Sequence, residues 1–181
     1  MIKQQGVTLI EMLITISIVA ILLTVVAPNM RDMVTSNRLI SQLNEISSMI
    51  QFARSNSITE QTTTVVCPTV NFTDCTTNWN NAKIVFIDAN NDNTRNANED
   101  ILAGTEIGEN SLNITGPNNL ISFSATGVTA SPSTIKICHI DNEAKFARAL
   151  TISLQGRVKT SRDTNNDGVY ETNTGVALSC P

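Results

Sequence analysis

The chain holds one histidine, His139, directly beside a cysteine, Cys138. A Cys–His pair invites a test for nucleophilic catalysis, which needs a base within hydrogen-bond reach of the nucleophile. The surrounding run, 134–140, is rich in β-branched residues and reads as a strand. Adjacent strand residues project to opposite faces, which keeps the two side chains apart. The sequence has no glycine loop shaped to cradle a phosphate and no Ser-x-x-Lys. It reads as a non-enzyme.

Two polar loops carry carboxylates at the alternating spacing of calcium loops. Asp88, Asn90, Asp92 and Glu99 fit D-x-N-x-D with an acid at the twelfth position, but Asn93 stands where the sharp turn calls for glycine. Asp163, Asn165, Asp167 and Gly168 match the start of such a loop better. There the twelfth position is Thr174, which leaves Glu171 as the further carboxylate. Calcium at Asp163, Asn165, Asp167 and Glu171 is the metal expectation, weighed against the ordinary use of Asn, Asp and Gly in hairpin turns. No other cofactor is expected.

A third constellation is basic. Lys145, Arg148, Arg157, Lys159 and Arg162 fall within 18 positions that contain no acid. Arg157 and Lys159 alternate along an expected strand, so they share a face. A phosphate backbone rewards such a patch through counterion release. The competing reading is a solvated strand whose cations blunt a sheet edge. The net charge of −4 excludes a general polyanion binder.

The fourth residue is Glu11, the one charge in residues 7–27. That run of 21 residues makes a helix of about 31 Å, matching a hydrocarbon core of roughly 30 Å. A carboxylate within it costs on the order of 2–3 kcal/mol unless it reaches the headgroups or finds a partner. Before the run stand six residues, MIKQQG. No small-x-small cleavage site follows it, so the helix is expected to stay in the mature protein.

The elements that position these residues follow from periodicity. Leu39, Leu43, Ile46, Ile50 and Ala53 recur at steps of three and four, while Arg31, Arg38, Asn44, Glu45 and Gln51 fall off that face. The spacing predicts a helix continuing past Pro28 to about residue 57. Strands are predicted over 62–67, stopped by Pro68, then 83–88, 101–102, 111–115, 120–124, 134–140, 148–154, 157–161 and 176–178. The organisation is a leader (1–6), a transmembrane and filament-core helix (7–27), an amphipathic helix (28–57) and a β-rich head (58–181). The fold class is α+β, a long N-terminal helix packed on a β-sheet head. All four cysteines follow the apolar run, which argues for two disulfides in an oxidising compartment. Three connectivities are open. Cys67–Cys75 and Cys138–Cys180 are favoured, the first by proximity in sequence and the second because it would pin the C-terminus. The spacings do not suit zinc.

Gly6-Val7-Thr8-Leu9-Ile10-Glu11, followed by the apolar run and Pro28, closely resembles the class III signal of type IV pilins and type II secretion pseudopilins. It departs at Val7, where that family usually has Phe. The resemblance implies cleavage between Gly6 and Val7 by a prepilin peptidase and methylation of the new terminus. It also implies that Glu11 pairs with the α-amino group of a neighbouring subunit. Trp79, KIVFIDANND, Glu99-Asp100-Ile101-Leu102, Lys136-Ile137-Cys138, Ile152-Ser153 and Gly156-Arg157-Val158-Lys159 resemble the heads of GspH/FimT-type minor pilins and pseudopilins. That likeness implies two β-sheets packed on the C-terminal half of the helix. Gly156 to Lys159 is similar to the G-R-x-R motif of FimT-type pilins that bind DNA, with Lys159 keeping the charge but not the bidentate fork of the second Arg.

The function implied is a structural minor pilin that primes a type IV pilus and sits at or near its tip. The alternatives are a DNA-binding minor pilin for natural transformation, using Lys145, Arg148, Arg157, Lys159 and Arg162, and a GspH-type secretion pseudopilin. The implied partners are other pilins, the prepilin peptidase, a tip adhesin and DNA. The implied location is the bacterial inner membrane, with a periplasmic head, before entry into a filament.

Overall fold

The computed structural model describes residues 6–180; the leader's first five residues lie outside them. The first element is a helix, α1 (Leu9–Glu60), which ends three residues past the expected 57. The residues fall into two compact units, Met1–Asn37 and Arg38–Pro181. Among the described side chains of the first unit the large apolar ones lie open, from Leu9 to Met33. An 18-residue window of this helix reaches a mean hydropathy of 2.7 with none of it buried. Its hydroxyls turn inward on the helix: Thr15 donates to the Met12 carbonyl, Ser17 to Leu13 and Thr24 to Ala20. Polar atoms satisfied within the helix suit an apolar surrounding.

In the second unit the expected stripe is the core face. Leu39, Leu43, Ile46, Met49, Ile50 and Ala53 are buried, each gaining on the order of 1.5–3 kcal/mol for a fully buried large aliphatic and less for alanine. They pack against two four-stranded antiparallel sheets. The first sheet contains β1 (Thr63–Thr69), β2 (Ala82–Asp88), β3 (Ile101–Gly104) and β5 (Ile121–Phe123), in the order β3-β2-β1-β5. The second contains β4 (Leu112–Thr115), β6 (Ser133–His139), β7 (Ala147–Ile152) and β8 (Val158–Thr160), in the order β4-β6-β7-β8. Val66, Val85, Ile121 and Phe123 of the first sheet and Leu112, Ile114, Ile135, Ile137, Leu150 and Ile152 of the second meet the helix in one cluster. Each sheet also buries a smaller cluster: Val65, Cys67, Ile84 and Phe86 on one, Cys138, Ala147, Ala149 and Leu178 on the other.

Two strand expectations need correction. Pro68 does not stop β1; it lies inside the strand, opposite Lys83. Lys83 turns its carbonyl towards Thr105, away from β1, so Pro68 sits at a pair without ladder hydrogen bonds. Its missing N–H therefore points to the side where β5 has already ended, and β1 loses no ladder bond there. Residues 176–178 form no strand. An isolated bridge joins Glu171 to Ala177, and the Leu178 N–H donates to the Tyr170 carbonyl at 2.8 Å. The segment doubles back on itself, and Leu178 fills the second sheet's smaller cluster.

Disulfides join Cys67 to Cys75 and Cys138 to Cys180, with Cα separations of 5.6 and 5.8 Å. The first closes a loop beside β1. The second ties the C-terminal segment to β6.

Candidate functional site

The two residues expected to flank the processing cut precede the helix. Gly6 and Val7 are exposed and non-helical, and α1 starts two residues after Val7. Thr8 caps it: the Glu11 N–H donates to Thr8 Oγ1 at 3.3 Å, and the Met12 N–H donates to the Thr8 carbonyl at 3.2 Å. The cap places Glu11 in the first turn, with its side chain exposed. The Gly6–Val7 bond therefore lies outside the helix, beside its capped start.

The two acidic loops differ in what their carboxylates do. Asp88 is fully buried and accepts the N–H groups of Asp92 at 3.2 Å and Asn93 at 2.9 Å. Glu99, also buried, accepts from Ala89 at 3.0 Å and Asn96 at 2.8 Å. Asn91 and Asn93 take positive φ (60° and 59°), a conformation Asn tolerates, which is how this loop manages without the glycine. Asp92 is held below the usual carboxylate range by hydrogen bonds from Asn96, Thr94 and Asn90. These bonds complete the loop from within.

In the second loop one ligand oxygen each of Asp163, Asp167 and Glu171 lies within 4.8 Å of the others. Asp163 Oδ2 accepts from the Gly168 N–H at 3.0 Å, while its Oδ1 is buried without a hydrogen-bond partner. Asn165 instead donates to Asp167 Oδ2 at 3.0 Å. A hard cation with oxygen ligands at 2.3–2.6 Å fits that spacing. Arg148 acts electrostatically on Asp163 and supplies part of the same positive charge.

The five cations do not form one patch. Arg148 is buried and stacks on the Tyr170 ring at 3.5 Å, and its Nη1 donates to the Lys145 and Ala147 carbonyls. Desolvation lowers its pKa. Strand alternation put Arg148 in register with Leu150 and Ile152, so it turned inwards. Lys145 pairs with Glu143 at 3.1 Å and lies over Phe146. Arg157, Lys159 and Arg162 remain exposed along β8.

A cation the sequence reading missed joins these three: Arg54 of α1, whose Nε donates to the Gly127 carbonyl at 3.1 Å. A Cβ on Gly156 would meet that same carbonyl at 2.2 Å and Arg54 Nε at 2.6 Å. Gly156 also has φ +72°. The glycine of the Gly156–Lys159 motif is thus required by packing, and it sets the start of β8 against the helix. Arg54 lies off the apolar stripe, in a region that offered no signal linking it to a strand 100 residues later. As for His139, its neighbour Cys138 is spent in a disulfide, and His139 itself contacts Asp141 and Phe146.

A family model described as Type II transport protein GspH matches residues 42–156, and one described as the prokaryotic N-terminal methylation motif matches residues 1–27. The chain belongs to the GspH family. This is a family of structural pilins and pseudopilins rather than of enzymes. The GspH-family fold is also seen in solved structures. The type IV minor pilin FimU of Pseudomonas aeruginosa aligns with a TM-score of 0.57 and 19% identity, covering 80% of this chain and 96% of that one. The minor pseudopilin EpsH from the type 2 secretion system of Vibrio cholerae aligns at 0.50 and 12%, covering 68% and 95%. No curated protein matches the sequence. As a GspH-family protein with a methylation motif and a long apolar helix, the chain is a membrane-anchored minor pilin or pseudopilin that associates with other pilins in a filament.

Proposed function

We propose that this protein is a minor subunit of a type IV pilus that primes assembly and sits at or near the tip. It waits in the inner membrane with its second unit in the periplasm. A prepilin peptidase cuts between Gly6 and Val7, and Glu11 then neutralises the α-amino group of a neighbouring subunit. The observation that carries this reading is the exposed Gly6–Val7 bond immediately before a capped, lipid-compatible helix that presents Glu11 in its first turn. A carboxylate held in lipid needs a positive partner, and the free α-amino group of a neighbouring subunit is the one proposed. A tip adhesin is the further partner proposed. Deletion is expected to remove surface pili while secretion continues. Periplasmic accumulation of exoproteins with piliation intact would assign the protein to a secretion pseudopilus instead.

A second reading, DNA binding, draws on Arg157 and Lys159 sharing one exposed face, with Arg162 nearby. Loss of Arg148 to the interior and the pairing of Lys145 with Glu143 leave three of the five cations for phosphate, so binding is expected to be weak and to vanish within a few-fold rise in salt. Calcium is proposed for the Asp163–Glu171 loop and not for the Asp88–Glu99 loop.

A further inference from the structure

Strand β8 is the edge of the second sheet; just past it, Arg162 exchanges both backbone hydrogen bonds with Glu171 on the outer side, so the open part of the edge is Val158 and Thr160. The Ser153 N–H donates to the Arg157 carbonyl at 3.0 Å and the Ser161 N–H to the Ala149 carbonyl at 2.8 Å. Residues 157, 159 and 161 therefore face β7, and alternation turns the N–H and C=O groups of Val158 and Thr160 outwards. No group among the described residues takes them. Beside them, between β8 and α1, open two adjoining cavities of about 640 and 450 Å³ that share Gln51, Val158 and Lys159. Arg54, Arg157, Lys159 and Arg162 line the pair. Glu171 is the acid there, and its Oε2 is already taken by the N–H and hydroxyl of Thr164.

We propose that this groove receives an extended acidic segment of another pilin subunit, which adds to β8 as a fifth strand of the second sheet. The proposal rests on the filament-subunit reading above. Outward N–H and C=O groups together call for a partner backbone that both accepts and donates. A phosphodiester only accepts, so it would set its oxygens against the Val158 and Thr160 carbonyls. In an added strand alternate side chains point to opposite faces. Acids at every second position would reach Arg157 and Lys159, and the intervening residues would face Ser47 and Gln51 of α1. Lysine on an edge normally repels unwanted strands. Here it repels basic segments and selects acidic ones, which is how an edge becomes specific instead of closed.

The test uses the full chain in detergent and a labelled peptide of alternating glutamate and valine. Binding is expected to slow amide exchange at Val158 and Thr160 by about tenfold or more. An analogue N-methylated at alternate positions is expected to bind at least about tenfold more weakly. Thr160→Pro, which removes an N–H that β7 does not use, is expected to weaken the peptide similarly, a loss of about 1.4 kcal/mol. Equal binding of the methylated analogue, or unchanged exchange at Val158 and Thr160, would overturn the proposal. So would a duplex DNA probe that binds more tightly than the peptide and ignores Thr160→Pro, since it would assign the cations to phosphate. Failure of the subunit reading itself would show separately, as absence of the protein from sheared filaments, with peptide binding untouched.

Discussion

The two sheets are built from the same parts and finish them differently. Each has four strands, one disulfide, one acidic loop and one buried cation. The first sheet closes on itself. Its acidic loop spends Asp88 and Glu99 on four backbone N–H groups, its disulfide spans eight residues, and Lys83 is shut in with its Nζ on the Asn81 carbonyl at 3.0 Å. The second sheet stays open. Asp163 keeps a buried oxygen without a partner, the disulfide spans 42 residues to hold the C-terminal segment, and β8 leaves Val158 and Thr160 unpaired on its outer side up to the bridge of Arg162 with Glu171. What a carboxylate or a strand edge can do for a partner depends on what the fold has already asked of it. On that ground the binding proposed above falls to the second sheet.

The largest expected difference lies in the disulfides. On the chain-entropy account the long bridge is worth about 4 kcal/mol and the short one about 2.5. Replacing Cys138 and Cys180 by serine is therefore expected to lower the denaturant midpoint of the full chain in detergent more than replacing Cys67 and Cys75. The reverse order would show that the C-terminal segment holds without its tether.

The acidic loops should separate next. Asp88→Ala removes a buried carboxylate that accepts two loop N–H groups and is expected to cost about 1–3 kcal/mol, whereas Asp163→Ala removes one hydrogen bond and is expected to cost less than about 1 kcal/mol. Millimolar calcium is expected to raise the melting temperature by roughly 1–3 °C through linkage, given one weak site. Asp163→Ala should abolish that rise and Asp88→Ala should retain it. A calcium effect that survives the loss of Asp163 would reassign the cation or remove it.

The smallest difference concerns the buried cations. Desolvation pushes the Lys83 ammonium down from 10.5 to about 8, with Glu45 opposing. The folded state thus disfavours the charged form. That penalty is complete below about pH 8 and fades as pH rises towards 10.5. Stability is expected to climb by a few degrees of melting temperature, roughly, between pH 8 and 10. Subtracting the profile of Lys83→Met isolates this slope, and parallel profiles would mean that Lys83 is hydrated. Arg148, charged throughout this range, should contribute no such slope.

The apolar run, the helix stripe and most strands were legible because periodicity is local. Leu39 to Ala53 needed no partner to announce a buried face, and Gly6 to Glu11 carried the resemblance to the pilin signal in adjacent residues. Pro68 misled because a proline ends a strand only where its missing N–H would have been used, and that depends on where β5 stops. The five cations read as one patch because sequence spacing cannot tell an outward strand position from one aligned with Leu150 and Ile152.

The sequence by itself determined a membrane-length helix with one carboxylate, a β-rich head and four cysteines. The tertiary structure alone decided which cysteines meet, that Arg148 goes inside while Arg54 comes to Gly156, and that β8 is an edge. The reason is range. Propensity and periodicity act over a few residues, whereas burial, pairing and vacancy depend on which distant segments happen to lie alongside.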